Sequence, residues 1–129
     1  MDSERSFEAA LRARENAYAP YSGFRVGAAL ETATGKVFAG CNVENATYGL
    51  TVCAERVALW KAMSEGEREF LRMVIVAESE RVVHPCGACR QLLWEFCGDI
   101  EVTVANTQGR SETRRLRDLL PYPFDRTYL

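Results

Sequence analysis

Three cysteines and a glutamate stand at spacings that suit metal chemistry: Cys53-Ala54-Glu55, and then Pro85-Cys86-Gly87-Ala88-Cys89. Cys86 and Cys89 are spaced i, i+3 at a predicted helix start, so both sulfurs can face one point. A helix N-terminus supplies unpaired N–H groups and positive potential, which favour thiolate over thiol. Cys53 falls in the first turn of another predicted helix. If both N-termini aim at one spot, three thiolates converge there. Zinc takes four ligands, and a catalytic zinc keeps one of the four positions open for water. Three cysteines without a matching fourth ligand fit that arrangement. Cys41 sits in a β-like segment, and Cys97 lies about 12 Å along its helix from Cys89, so neither completes a structural set.

Glu55 follows Cys53 by two positions, so on a helix its side chain does not point with the sulfur. It can line the pocket beside the metal without binding it, as general acid/base work on water requires. Three thiolates and Zn²⁺ sum to a net negative charge, which Arg56 can offset through hydrogen bonds to sulfur. Taken alone, Cys86-Gly87-Ala88-Cys89 reads equally as a thiol-redox pair, and Cys-x-Glu is weaker still. Cys-x-Glu and then Pro-Cys-x-x-Cys, each heading a helix, form a far more specific combination.

These residues need a scaffold, and the chain can build one. Its 129 residues suit one domain spanning 1–129 with a real hydrophobic core. An apolar share of 47% and a charged share of 26% place it among soluble globular proteins. The net charge is −2 and the 16 Lys and Arg are scattered, which argues against a nucleic-acid surface. No run approaches the roughly 18–20 apolar residues needed to cross a bilayer, so no membrane partner is expected. Asp2, Glu4, Arg5, Glu8, Arg12 and Arg14 occupy the place of a secretory signal's apolar block. The expectation is a cytoplasmic protein whose five cysteines stay reduced.

Apolar spacing predicts an amphipathic helix over about 4–18, stopped by Pro20. Strands follow at Phe24–Thr32 and Val37–Asn42, around the Ala33-Thr34-Gly35-Lys36 turn. Thr51 can cap a helix over about 52–64, ended by Gly66. Met73–Ala77 reads as a strand covered on both faces. A helix over about 87–97 leads to strands 101–105 and 111–115 and a short helix at 116–120. The order α-β-β-α-β-α-β-β-α predicts an α/β fold: a mixed sheet with helices on its faces. Strands 73–77 and 101–105 should be parallel, as in any βαβ unit. The 52–64 helix is apolar nearly all round, which suits either a sandwiched central helix or an oligomer interface.

Four blocks carry a resemblance to a known family: Ala19-Pro20-Tyr21-Ser22-Gly23-Phe24-Arg25-Val26-Gly27-Ala28-Ala29-Leu30, Gly40-Cys41-Asn42-Val43-Glu44-Asn45-Ala46-Thr47-Tyr48-Gly49, Cys53-Ala54-Glu55-Arg56 and Pro85-Cys86-Gly87-Ala88-Cys89-Arg90-Gln91. From about Arg12 to Phe124 the chain resembles the small homotetrameric zinc-dependent cytidine deaminases, in their three-cysteine form. The resemblance implies a three-layer α-β-α fold with a five-stranded mixed sheet. It also implies one zinc per chain on Cys53, Cys86 and Cys89, with Glu55 moving protons. Residues matching Asn42 and Glu44 hold the ribose hydroxyls in that family, with Val43 in the same substrate-binding block, and the one matching Phe24 packs on the base. Those matching Ala46, Tyr48 and Phe124 reach into a neighbouring subunit's site. The implied reaction is hydrolytic deamination of cytidine and deoxycytidine, in a homotetramer with shared sites. His84 reads as a loop residue, and Cys41 and Cys97 as buried apolar thiols. The rival readings are a related deaminase acting on another aminated nucleoside or nucleotide, and a non-catalytic zinc or thiol-redox module.

Overall fold

The apolar run 73–77 is buried at every position, so the sheet built on it is covered on both faces there. In the computed structural model, which describes residues 2–129, that sheet has five strands. They are β1 (Val26–Thr32), β2 (Val37–Cys41), β3 (Phe70–Ala77), β4 (Glu101–Asn106) and β5 (Ser111–Arg115). Their spatial order is β2-β1-β3-β4-β5. β1 pairs antiparallel with both β2 and β3, β3 runs parallel to β4, and β4 turns back into β5. The parallel pair expected from the βαβ pattern and the early hairpin are both present.

Helix α1 (Asp2–Arg14) covers one face, where Ala10 packs with Ala29, Val74, Val76 and Ala105. Helices α2 (Ala54–Ser64), α3 (Gly87–Cys97) and α4 (Leu116–Leu119) cover the other. There Ala58, Leu59, Leu93 and Leu116 close over Leu30, Met73, Ile75, Val102 and Val104. Three layers result, with α1 alone on its side. Two glycines let the helices come this close. A Cβ on Gly27 would lie 1.9 Å from the Ala10 carbonyl oxygen of α1, and one on Gly40 would lie 2.8 Å from the Ala58 nitrogen of α2.

The first helix ends four residues earlier than its apolar spacing suggests. Ala17 and Tyr18 share the helical face in sequence, but the backbone N–H of Tyr18 donates to the Asn42 carbonyl at 3.0 Å and its own carbonyl accepts from Glu44 N–H at 2.8 Å. That extended pairing satisfies the backbone outside the helix. α2 begins later than expected for a related reason: Val52 exchanges two hydrogen bonds of 3.0 Å with Val43, so Cys53, not Thr51, is the N-cap. On α2, Ala54, Ala58, Leu59 and Ala62 are buried, whereas Trp60 is 41% exposed and packs T-shaped with Phe96. Among the described residues no helix is long and apolar enough to cross a membrane.

Candidate active site

The three cysteines stand at the N-terminal ends of α2 and α3. Cys53 caps α2 and Cys86 caps α3, and neither sulfur is spent on a capping hydrogen bond. Their carbonyls start the helices instead, accepting from Val57 N–H at 3.1 Å and Arg90 N–H at 3.0 Å. Both sulfurs are thereby free to turn toward the buried Cys89 in the first turn of α3. The three Sγ atoms all lie within 4.8 Å of one another. A tetrahedral site with Zn–S bonds of about 2.3 Å needs sulfurs roughly 3.8 Å apart. No fourth His, Cys, Asp or Glu joins this cluster among the described residues. The triad therefore fits one zinc ion with one open position.

Electrostatics favour that fit. The Arg56 guanidinium donates to Cys53 Sγ at 3.2 Å. A hydrogen bond from Cys89, together with Arg56, holds the Cys53 thiol below its ordinary range, while the same hydrogen bond and burial push Cys89 up. The surroundings thus favour negative charge on Cys53, as a metal ligand requires. Glu55, in the first turn of α2, is 6% exposed. Burial, reinforced by the negative charge of Cys53, pushes its carboxyl up to about 7. A carboxyl poised there can both take and give a proton.

Cys53, Glu55 and Cys86 open onto a cleft of about 330 Å³, a size suited to a small molecule. His84 lines it as well. Phe24, Val26, Asn42, Glu44 and Ser22 also line it, with Ile75 and Ala77 contributed by β3. Asn42 and Glu44 are two residues apart on an extended segment, so both face the cleft while Val43 turns away to solvent. The Asn42 amide donates to Phe24 carbonyl at 2.7 Å and accepts from Val26 N–H at 2.9 Å, which ties this segment to the start of β1. Glu44 Oε1 accepts from the N–H groups of Tyr21 (2.9 Å) and Ser22 (3.0 Å), and Oε2 accepts from the Ser22 hydroxyl. Those hydrogen bonds, the Ser22 hydroxyl first among them, hold the Glu44 carboxyl below its ordinary range.

The remaining site candidates lie elsewhere. Ala46, Tyr48 and Phe124 do not line this cleft. Tyr48 is 72% exposed and packs edge-on against Tyr21, and Phe124 stacks on Tyr128 at the far end of the chain. Sequence reasoning gave no role to Ser22, which anchors Glu44, although Ser22 stands within the matched 19–30 block. His84 forms part of the cleft wall, its Nε2 3.3 Å from Glu112 Oε1.

A zinc triad open toward a cleft, with a buried carboxylate beside it, defines a metal-dependent hydrolytic site on a three-layer α/β scaffold. The chain belongs to the family described as the cytidine and deoxycytidylate deaminase zinc-binding region, which its residues 1–106 match. It is 50% identical over 125 residues to a cytidine deaminase of Halalkalibacterium halodurans, covering 96% of this chain and 95% of that one. It is 46% identical over 127 residues to a cytidine deaminase of Sporosarcina psychrophila, covering 98% and 93%. The crystal structure of a cytidine deaminase from Burkholderia pseudomallei superimposes with a TM-score of 0.92 at 50% identity, covering 96% of this chain and 100% of that one.

Proposed function

We propose that residues 1–129 act as one cytoplasmic catalytic domain that converts cytidine, and deoxycytidine, to the uridine nucleoside and ammonia. The observation that carries this reading is the mixed lining of one cleft. Cys53 and Cys86 of the cluster able to hold a metal, and the buried carboxyl of Glu55, line the same cleft as the polar side chains of Asn42 and Glu44. The high identity to cytidine deaminases over nearly the whole chain supports the same substrate.

Cys53, Cys86 and Cys89 would hold the zinc, which when bound supplies a Lewis acid that makes water a usable nucleophile near neutral pH. Glu55 takes a proton from the attacking water and delivers it to N3 of the pyrimidine as the water oxygen adds to C4. It then passes the second proton to the departing amine, so cytidine and water give the uridine product and ammonia. Arg56 offsets the negative charge of the sulfurs through its bond to Cys53. Phe24 offers an aromatic face to the base. After its two backbone bonds Asn42 keeps one N–H, and Glu44 Oε2 keeps one acceptor site beyond the Ser22 hydroxyl. Both are available to sugar hydroxyls.

Ala46, Tyr48 and Phe124 serve the site of a neighbouring copy in a homotetramer. Their position outside their own cleft supports this, as do the exposed Tyr21 and Tyr48, which line a neighbouring hollow with Ser22, Glu44 and Thr51. The deciding experiment is ammonia release from cytidine by purified protein, with and without a zinc chelator. Turnover that the chelator abolishes is the expected outcome. Zinc at one ion per chain without ammonia release points to a non-catalytic zinc module. Release from deoxycytidine monophosphate, but not from cytidine, moves the substrate to a nucleotide.

A further inference from the structure

The three cysteines are not equally supported: Cys89 is buried, Cys53 is half-buried and Cys86 is exposed. Cys53 has Arg56 on its sulfur and the Val43–Val52 pairing directly before it. Cys86 sits where the connection from β3 enters α3, with no hydrogen bond to its side chain from the helix it caps. A single residue holds its backbone from both sides. Arg90 donates through its backbone N–H to the Cys86 carbonyl at 3.0 Å, and through Nε to the Pro85 carbonyl at 2.6 Å. These are the two peptide carbonyls that flank the Cys86 Cα. The guanidinium is itself anchored, because Nη1 donates to the Leu119 carbonyl at the end of α4 at 2.9 Å.

We infer that Arg90 is a positioning residue for the metal ligand Cys86, clamping the Pro85–Cys86 turn against α4 so that the exposed sulfur faces the other two. A planar guanidinium can bridge two carbonyls in fixed directions, which an ammonium on a flexible stem cannot do as well. Groups that orient a metal ligand without touching the metal typically govern affinity by about 10- to 100-fold. The inference rests on the three cysteines holding zinc.

The test uses the zinc-loaded protein and two variants, Arg90→Lys and Arg90→Gln. Both should release zinc to a chromophoric chelator at least about tenfold faster than the parent. After exchange of zinc for cobalt, both should show altered thiolate charge-transfer and d–d absorption bands. Trp94→Phe is the control for general loosening: it cuts the 3.0 Å bond from Trp94 Nε1 to Asp125, which also ties α3 to the C-terminal segment, but leaves the Pro85 clamp intact. It should keep the parent's release rate and cobalt spectrum. Unchanged release and spectrum in the Arg90 variants overturn the inference, as does a Trp94→Phe variant that reproduces their behaviour. Should Arg90→Gln not fold, Arg90→Lys, which keeps charge and stem, carries the test. A parent protein that binds no zinc defeats the underlying metal reading instead.

Discussion

The two polar parts of the cleft lining are assembled in different ways. Cys53, Glu55, Cys86 and Cys89 sit at the starts of two helices packed on one sheet face, with Cys86 held further through the Arg90 clamp. Asn42 and Glu44 sit on a loop held by Tyr18, Tyr21, Ser22 and Phe24 through individual hydrogen bonds. The first part is placed mainly by secondary structure, the second by separate bonds to neighbouring loop residues. On the proposed reading the first carries the reactive groups and the second recognises substrate. Damage at the first should therefore appear in kcat, and damage at the second in KM.

The largest effect is expected from Glu55→Gln. It keeps the size and burial of the side chain but removes the proton carrier, so kcat should fall by about 10³–10⁴. KM should change little, and metal analysis should still find the zinc, because Glu55 is not a ligand. Loss of zinc in this variant would place Glu55 in the coordination sphere, and near-normal turnover would remove it from the chemistry.

Glu44→Gln tests the loop residues and should raise KM about tenfold with kcat nearly unchanged, the size of a lost hydrogen bond to a charged acceptor. Ser22→Ala should give a smaller rise: it removes the hydroxyl that donates to Glu44 and accepts from Phe24 N–H at 3.0 Å, but leaves the two backbone N–H bonds to Glu44. Steady-state kinetics of the double variant close a cycle. If Ser22 acts through Glu44, the two effects are not additive, and Ser22→Ala adds little once Glu44 is changed. Full additivity would mean that Ser22 acts independently of Glu44, through its bond to Phe24 N–H or directly on substrate.

The contrast also explains how much the sequence disclosed. Cysteine is scarce and its spacing at helix starts is distinctive, so the zinc triad and the role of its neighbour Glu55 can be argued from residues alone. Asn, Glu and Ser in loops are common, and only resemblance singled out Asn42 and Glu44. The order of elements and the parallel β3–β4 pair follow from apolar periodicity, which reports burial. Boundaries slipped where backbone pairs with distant backbone: Tyr18 with Asn42 and Glu44, and Val52 with Val43. The Arg90 clamp cannot be read from residue types, although Arg90 stands within the matched 85–91 block, because the carbonyls of Pro85 and Leu119 are acceptors that every residue type carries.

The smallest expected effect separates the metal cysteines from the packing ones. Cys97, the last residue of α3, is half-buried rather than buried and packs against the core, and burial pushes its thiol up to about 12. In the unfolded chain a thiol titrates near 8.5. Between those values the unfolded state has released the proton while the folded state retains it, so the unfolded state binds fewer protons. Stability must then fall as pH rises, with a limiting slope of about 1.4 kcal/mol per pH unit for one group. Cys97→Ala removes this contribution but leaves the zinc cysteines in place. Urea unfolding of the zinc-loaded parent and variant from pH 8 upward should show the stability gap between them shift in favour of the variant as pH rises. A gap independent of pH would mean that Cys97 ionises as easily folded as unfolded, and that the core at that end of α3 admits water.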